Sequence, residues 1–294
     1  MHRYLRAIGF SQLKTRSQVN GLLASMIRNA DEKKYTSIDD TDVMFAEYSK
    51  EFAENVGITV RGEYNEDNQF IFDYYFLYIK GIQISSYEDI SIERHAEKES
   101  YAGVCDDIKV GVTLIFYLQN IISYLKIKNA GRLPIRGTSL ILSGLSVEGR
   151  ILLPIKKDAQ DLKKIKQDNV NRSKLLIAAK HGDEQAMESL TLEDLDTYSN
   201  LSKKILTQDV YTLVDSYFMP YGVECDQYSI LGEIMDYEYV TNKVTKERLC
   251  QMTINCNDLI FDICINTADL IGEPEIGRRF KGVIWMQGMI NFPD

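Results

Sequence analysis

At 294 residues, 45% hydrophobic and 26% charged, the chain has ordinary globular composition and enough length for two cores or one large one. Its formal net charge of −9, spread without a concentrated basic face, sets nucleic acid and anionic lipid aside as partners. The longest apolar stretch, near Val110 to Leu125, is broken by Gln119 and Asn120 and is too polar for a membrane helix.

The opening MHRYLRAIGF lacks the sustained apolar run and small-residue cleavage site of a secretory signal, so the expected location is the cytoplasm. Val19, Leu22, Leu23, Met26 and Ile27 then recur at helical spacing, which predicts a helix over about 17–29 capped by Ser17. A β-rich region follows: Val43 to Phe52, Val56 to Tyr64, Phe70 to Lys80, Ile90 to Ala96, Ile108 to Asn120, and Thr138 to Ile155 with a turn near Glu148 and Gly149. Asn65 to Asn68 is a strong turn signal between two of these strands.

From Lys156 to Leu206 aromatic residues become scarce and proline disappears, the mark of a helical connecting segment. Gly182 can end one helix in a left-handed conformation, Asp183 can cap the next, and Thr191 can cap a third. Beyond Pro220 and Gly222 the chain is β-rich again: Tyr228 to Val240, Leu249 to Cys256, Leu259 to Asn266, and Phe280 to Phe292. The middle two form a hairpin. A two-residue turn at Asn257 and Asp258 sets 256 opposite 259, 254 opposite 261, 252 opposite 263 and 250 opposite 265, which places both apolar sets on one face. The expected class is α+β: an N-terminal helix with an antiparallel sheet (1–155), a helical segment (156–206), and a C-terminal small antiparallel β-barrel or curled sheet (207–294).

The words VECDQYSILGEI (223–234), CNDLIFDICIN (256–266) and GEPEIGRRFKGVIWMQG (272–288), with the opening MHRYLRAIGF, resemble an uncharacterised bacterial family, the domain of unknown function 3881. The resemblance spans the whole chain. It implies a soluble bacterial protein of about this size and carries no activity, cofactor or catalytic residue.

Two constellations have the residue types of a site. Glu273, Glu275, Arg278, Arg279 and Lys281 share a predicted turn, where paired arginines suit a small anionic ligand and paired glutamates suit a closed loop. Glu93, His95 and Glu97 share one face of a predicted strand, with Cys105, Asp106 and Asp107 to follow, the ingredients of a metal or acid/base site. Against thiolate chemistry, the two aspartates beside Cys105 oppose its ionisation. The segment from Arg132 to Gly149 loosely resembles the two-arginine, Ser-x-x-Gly pattern of cyclic-dinucleotide-binding PilZ domains, with Gly144 where that pattern has an acid or Asn. Five cysteines without regular spacing fit reduced thiols better than a disulfide framework. Cys250 and Cys256, about 20 Å apart along one strand, read as small core residues. No phosphate loop, dinucleotide fingerprint, zinc-helix motif or serine elbow occurs, so no cofactor is expected.

Charge is uneven: residues 1–30 hold five basic side chains and no acid, while residues 31–100 hold seventeen acids against seven bases. That asymmetry suits packing between neighbours, or self-association into a homo-oligomer. The sequence reading is therefore a cytosolic, non-enzymatic protein that binds a partner protein or a small anion. The competing reading is a hydrolytic or metal-dependent enzyme using His95.

Overall fold

The computed structural model describes residues 2–38, 43–95, 100–107, 109–133, 137–155, 171–172, 174–179, 181–205, 210–223 and 225–293. Its first element is a 3-10 helix, Arg3–Ile8, followed by helix α1, Arg16–Arg28. Thr15 caps α1 rather than Ser17: the Thr15 hydroxyl accepts from the Gln18 amide N–H and the Gln18 side chain accepts from the Thr15 N–H, a reciprocal capping box. Val19, Leu23 and Met26 are the buried side of the expected stripe.

The stripe lands on a four-stranded antiparallel sheet in chain order, β1 (Glu32–Ser37), β2 (Met44–Ala53), β3 (Val56–Tyr64) and β4 (Phe70–Ile79). Tyr4, Ile8, Leu23, Tyr48, Ile58, Val60 and Leu77 belong to its core. The strand β1 went unread in the sequence because Glu32, Lys33 and Lys34 lie exposed on the sheet's edge and show no alternation.

The second sheet contains a closed barrel of five strands. Around it run β8 (Ser139–Leu152), β12 (Leu259–Asn266), β11 (Arg248–Cys256), β10 (Gln227–Thr241) and β14 (Arg279–Asn291), and β14 pairs back to β8. The hairpin β11–β12 pairs in the expected register, with Cys256 opposite Leu259 and Cys250 opposite Ile265. Its turn residues Asn257 and Asp258 both adopt left-handed φ, 54° and 63°. Cys250, Met252, Ile254, Phe261, Ile263, Phe280, Ile284 and Met286 fill the barrel's core.

Two expectations are corrected here. The barrel is not confined to the C-terminal residues and is not wholly antiparallel, because β8, which precedes residue 155, supplies its fifth strand and runs parallel to β12. β8 and the strands that follow residue 207 thus belong to one sheet. No turn occurs at Glu148 and Gly149 either; β8 continues past them with a bulge, Val147 and Glu148 standing against Val283 of β14, and Gly149 leaves room for the Phe280 ring, which a Cβ would strike.

From β14 the sheet continues through β7 (Leu114–Leu118), β6 (Tyr101–Cys105) and β5 (Ile90–Arg94), the last forming the sheet's far edge. Helix α2, Ile121–Asn129, follows β7 and buries Ile121, Ile122, Tyr124 and Leu125, with Tyr124 against Tyr101 of β6. The strand expected over Ile108 to Asn120 stops short of this helix, for which the sequence reading assigned no element; its β-branched and aromatic residues carry no helical signal of their own. Two carbonyls on β4's free edge are answered by side chains of β14, of β8 and of the residue after β7. Gln287 Nε2 donates to Leu77 O at 2.7 Å, and Ser143 Oγ and Gln119 Nε2 donate to Ile79 O at 2.7 and 2.9 Å. At this end of β4 the edge is thus closed to further strand pairing.

Between β8 and β9 (Tyr217–Pro220) lies the helical segment, with helical residues 174–179, helix α3 (Glu184–Ile205) and helix α4 (Val210–Leu213). Gly182 is left-handed at φ 88°, and the Asp183 carboxylate accepts from the Gln185 and Ala186 N–H groups, the expected stop and start. Thr191 caps nothing: its hydroxyl donates to Met187 O inside one continuous helix.

Candidate functional site

The turn carrying the two arginines lies between the short β13 (Leu270–Ile271) and β14. Arg279 is 6% exposed and donates to three backbone carbonyls: Leu153 O from Nε and Nη2 at 3.1 and 3.0 Å, Val214 O at 2.8 Å, and Tyr211 O at 2.7 Å. Leu153 follows β8 and Tyr211 precedes β9, so this guanidinium clasps the chain where it leaves the barrel and where it returns. Lys281 donates to the Tyr211 hydroxyl and lies 4.4 Å from its ring centroid. Arg278 pairs with Glu275 at 2.8 Å and donates to Glu273 O, and Glu273 accepts from Tyr239 at 3.4 Å. The structure does bring the five residues together, with their donors turned to acceptors within the chain.

The second constellation is spread out. Glu93 and His95 are exposed at one end of β5, and Glu97 lies outside the described residues. Cys105 pairs with Ile90 at the opposite end of the β5–β6 ladder, while the His95 N–H donates to Ser100 O. Five residues of strand separate the two, about 16 Å at strand rise. Asp106 and Asp107 are structural: Thr113 donates to Asp106 and Ser86 donates to Asp107, each at 2.6 Å. Burial pushes the Cys105 thiol up to about 11. Burial likewise pushes Cys250 and Cys256 up to about 12 and raises Cys264, so all four are held as thiols at neutral pH. Among the described residues no group of three or more His, Cys, Asp or Glu side chains is placed to share a metal ion. In the PilZ-like segment, Arg136 lies outside the described residues, and the Ser146 hydroxyl is spent on Glu148 O and Val283 O at 2.8 Å.

A concave feature does occur at the end of the β7–β6–β5 extension. Ile90 and Ile92 from β5, Tyr124 from α2, Leu133 and Thr138 from the approach to β8, and Ile290 and Phe292 from the end of β14 line a groove of about 400 Å³. Ser86 bridges to Leu140 of β8, and the chain then runs on to β5 at the far end of the sheet order. Tyr101 packs edge-on against Tyr124, one of the lining side chains, at 5.4 Å. Ile90 and Ile92 were visible in the sequence as alternating strand residues. Their partnership with Tyr124, Thr138 and Phe292 was not, because it joins segments far apart in the chain.

Comparison with known proteins assigns the chain to a family. The family model described as "Domain of unknown function, E. rectale Gene description (DUF3881)" matches residues 5–288, and the chain belongs to that family. No curated protein and no solved structure matches it. No helix among the described residues is long and apolar enough to cross a membrane.

Proposed function

We propose that this is a non-enzymatic cytosolic binding protein whose ligand occupies the groove between β5, α2 and the end of β14. The observation that carries this reading is the groove: about 400 Å³ lined by five aliphatic or aromatic side chains together with Tyr124 and Thr138. That size and lining match small-ligand and peptide sites, where an apolar surface supplies affinity and a few hydroxyls fix orientation. The loop at 272–282, the sequence's own anion site, is the weaker locus. Arg279 already answers three backbone carbonyls, so an anion would have to displace bonds that hold the helical segment to the barrel.

Titration with the apolar fluorophore anilinonaphthalene sulfonate tests the reading. The native protein is expected to take up one dye per chain. Leu133→Glu, at a position 40% exposed, should weaken uptake at least tenfold and leave the thermal midpoint unchanged. Native protein that takes up no dye sinks the proposal.

A further inference from the structure

Resting on that groove reading, we infer that its occupant is an extended peptide that adds as a strand to β5, with apolar residues alternating with Lys or Arg. Three observations lead there. First, β5 ends the strand order of the ten-stranded sheet, and among the described residues no strand pairs with its outer side. Second, the direction of its backbone groups follows from the ladder. The His95 N–H donates to Ser100 O on the β6 side, and antiparallel pairing from Ile90↔Cys105 to Arg94↔Tyr101 is unbroken. Alternation then turns Glu93 and Ser91 toward β6, and the N–H and C=O groups of Ile90 and Ile92 toward the open edge. Third, the side chains of Ile90 and Ile92 line the groove. The residues that offer backbone hydrogen bonds therefore also offer apolar contact, the arrangement strand addition requires.

Charge selects the peptide. Glu93 is exposed on the face of β5 opposite Ile90 and Ile92, and Asp89 is exposed just before the strand. An added strand sets one set of side chains over the isoleucines in the groove and the alternate set beside these carboxylates. Apolar residues satisfy the first and cationic residues the second, because opposite charges across neighbouring strands attract and like charges repel. The partner is thus a basic, alternating segment in extended form. A helix cannot meet the backbone groups of β5, and an acidic strand meets repulsion.

Calorimetric titration of the full chain with an acetylated, amidated octapeptide alternating Val and Lys tests this. Saturable one-to-one binding is expected. At least tenfold weaker binding is expected for a block peptide of the same composition, four Val then four Lys, and for the alternating peptide N-methylated at every second residue on its β5-facing edge. Glu93→Lys should weaken the Val/Lys peptide severalfold and admit the Val/Glu peptide. Equal binding of the block or N-methylated peptide overturns strand addition. If the fluorophore binds and the alternating peptide does not, the peptide inference fails while the groove reading stands; if neither binds, both fail. Sedimentation that reveals a dimer which the peptide cannot dissociate assigns the edge to a second copy of this chain and also overturns the inference.

Discussion

Arg61 has no exposed side-chain surface, yet it sits between the first sheet and β7 with its donors answered. Nε donates to Glu47 at 2.5 Å, Nη1 to the hydroxyls of Tyr74 and Tyr117 at 3.1 and 2.9 Å, and Nη2 to Gln119 O at 2.6 Å. The Phe76 ring lies 4.2 Å from the guanidinium carbon. Burial alone would lower its pKa, but the Glu47 carboxylate, with Tyr74 and Tyr117, outweighs burial and raises it. Taking away one charge leaves the other uncompensated in a dry site, whereas taking away both does not. Glu47→Gln is therefore expected to cost about 3–5 kcal/mol in urea unfolding. Adding Arg61→Met should return part of that loss, with a coupling of more than about 1 kcal/mol between the two positions. Strictly additive losses would mean that the pair does not act as a unit.

Elements built from local signals were legible, and those built from distant ones were not. The hairpin β11–β12 shows the first kind: a period-two pattern on both strands and an Asn-Asp turn leave one register that buries Ile254 and Phe261 together. Because Asp258 sits at φ 63°, Asp258→Val should cost about 1–2 kcal/mol, while Asp258→Gly should cost little. Chemical denaturation of both variants decides this, and equal losses would show that the turn's backbone geometry is not what matters. The cap at Asp183 and the left-handed Gly182 were equally local. By contrast, α2 carries Ile121, Ile122 and Tyr124, residues that favour strands in isolation and are buried here in a helix, Tyr124 against Tyr101 of β6. The arginine turn was legible as a cluster, but its acceptors, Leu153, Tyr211 and Val214, lie more than sixty positions away. The groove hid for the same reason, since no spacing within the chain joins Ile92 to Phe292.

At the scale of the whole molecule, the chain completes its barrel across a long insertion. β8 is laid down before the helical segment, and β10, β11, β12 and β14 after it, yet β8 must pair with both β12 and β14 before the barrel closes. Arg279 holds the two ends of the insertion together at Leu153 and Tyr211, which lowers the cost of that distant closure. Composition alone suggested an independent C-terminal unit from residue 207. Without β8, however, such a unit loses twelve register pairs along β14 and the only partner of β12 other than β11 among the described strands. It would expose two long apolar strand edges to water. The fragment 207–294 is therefore expected to unfold without cooperativity or to aggregate when made alone. Mixed with fragment 1–155, it should form a one-to-one complex whose heat denaturation is cooperative and whose near-ultraviolet dichroism around Trp285 resembles that of the intact chain. Isolated 207–294 that stays monomeric and melts in one sharp transition would show that four strands close the barrel unaided, and β8 would then be an added strand rather than a necessary one.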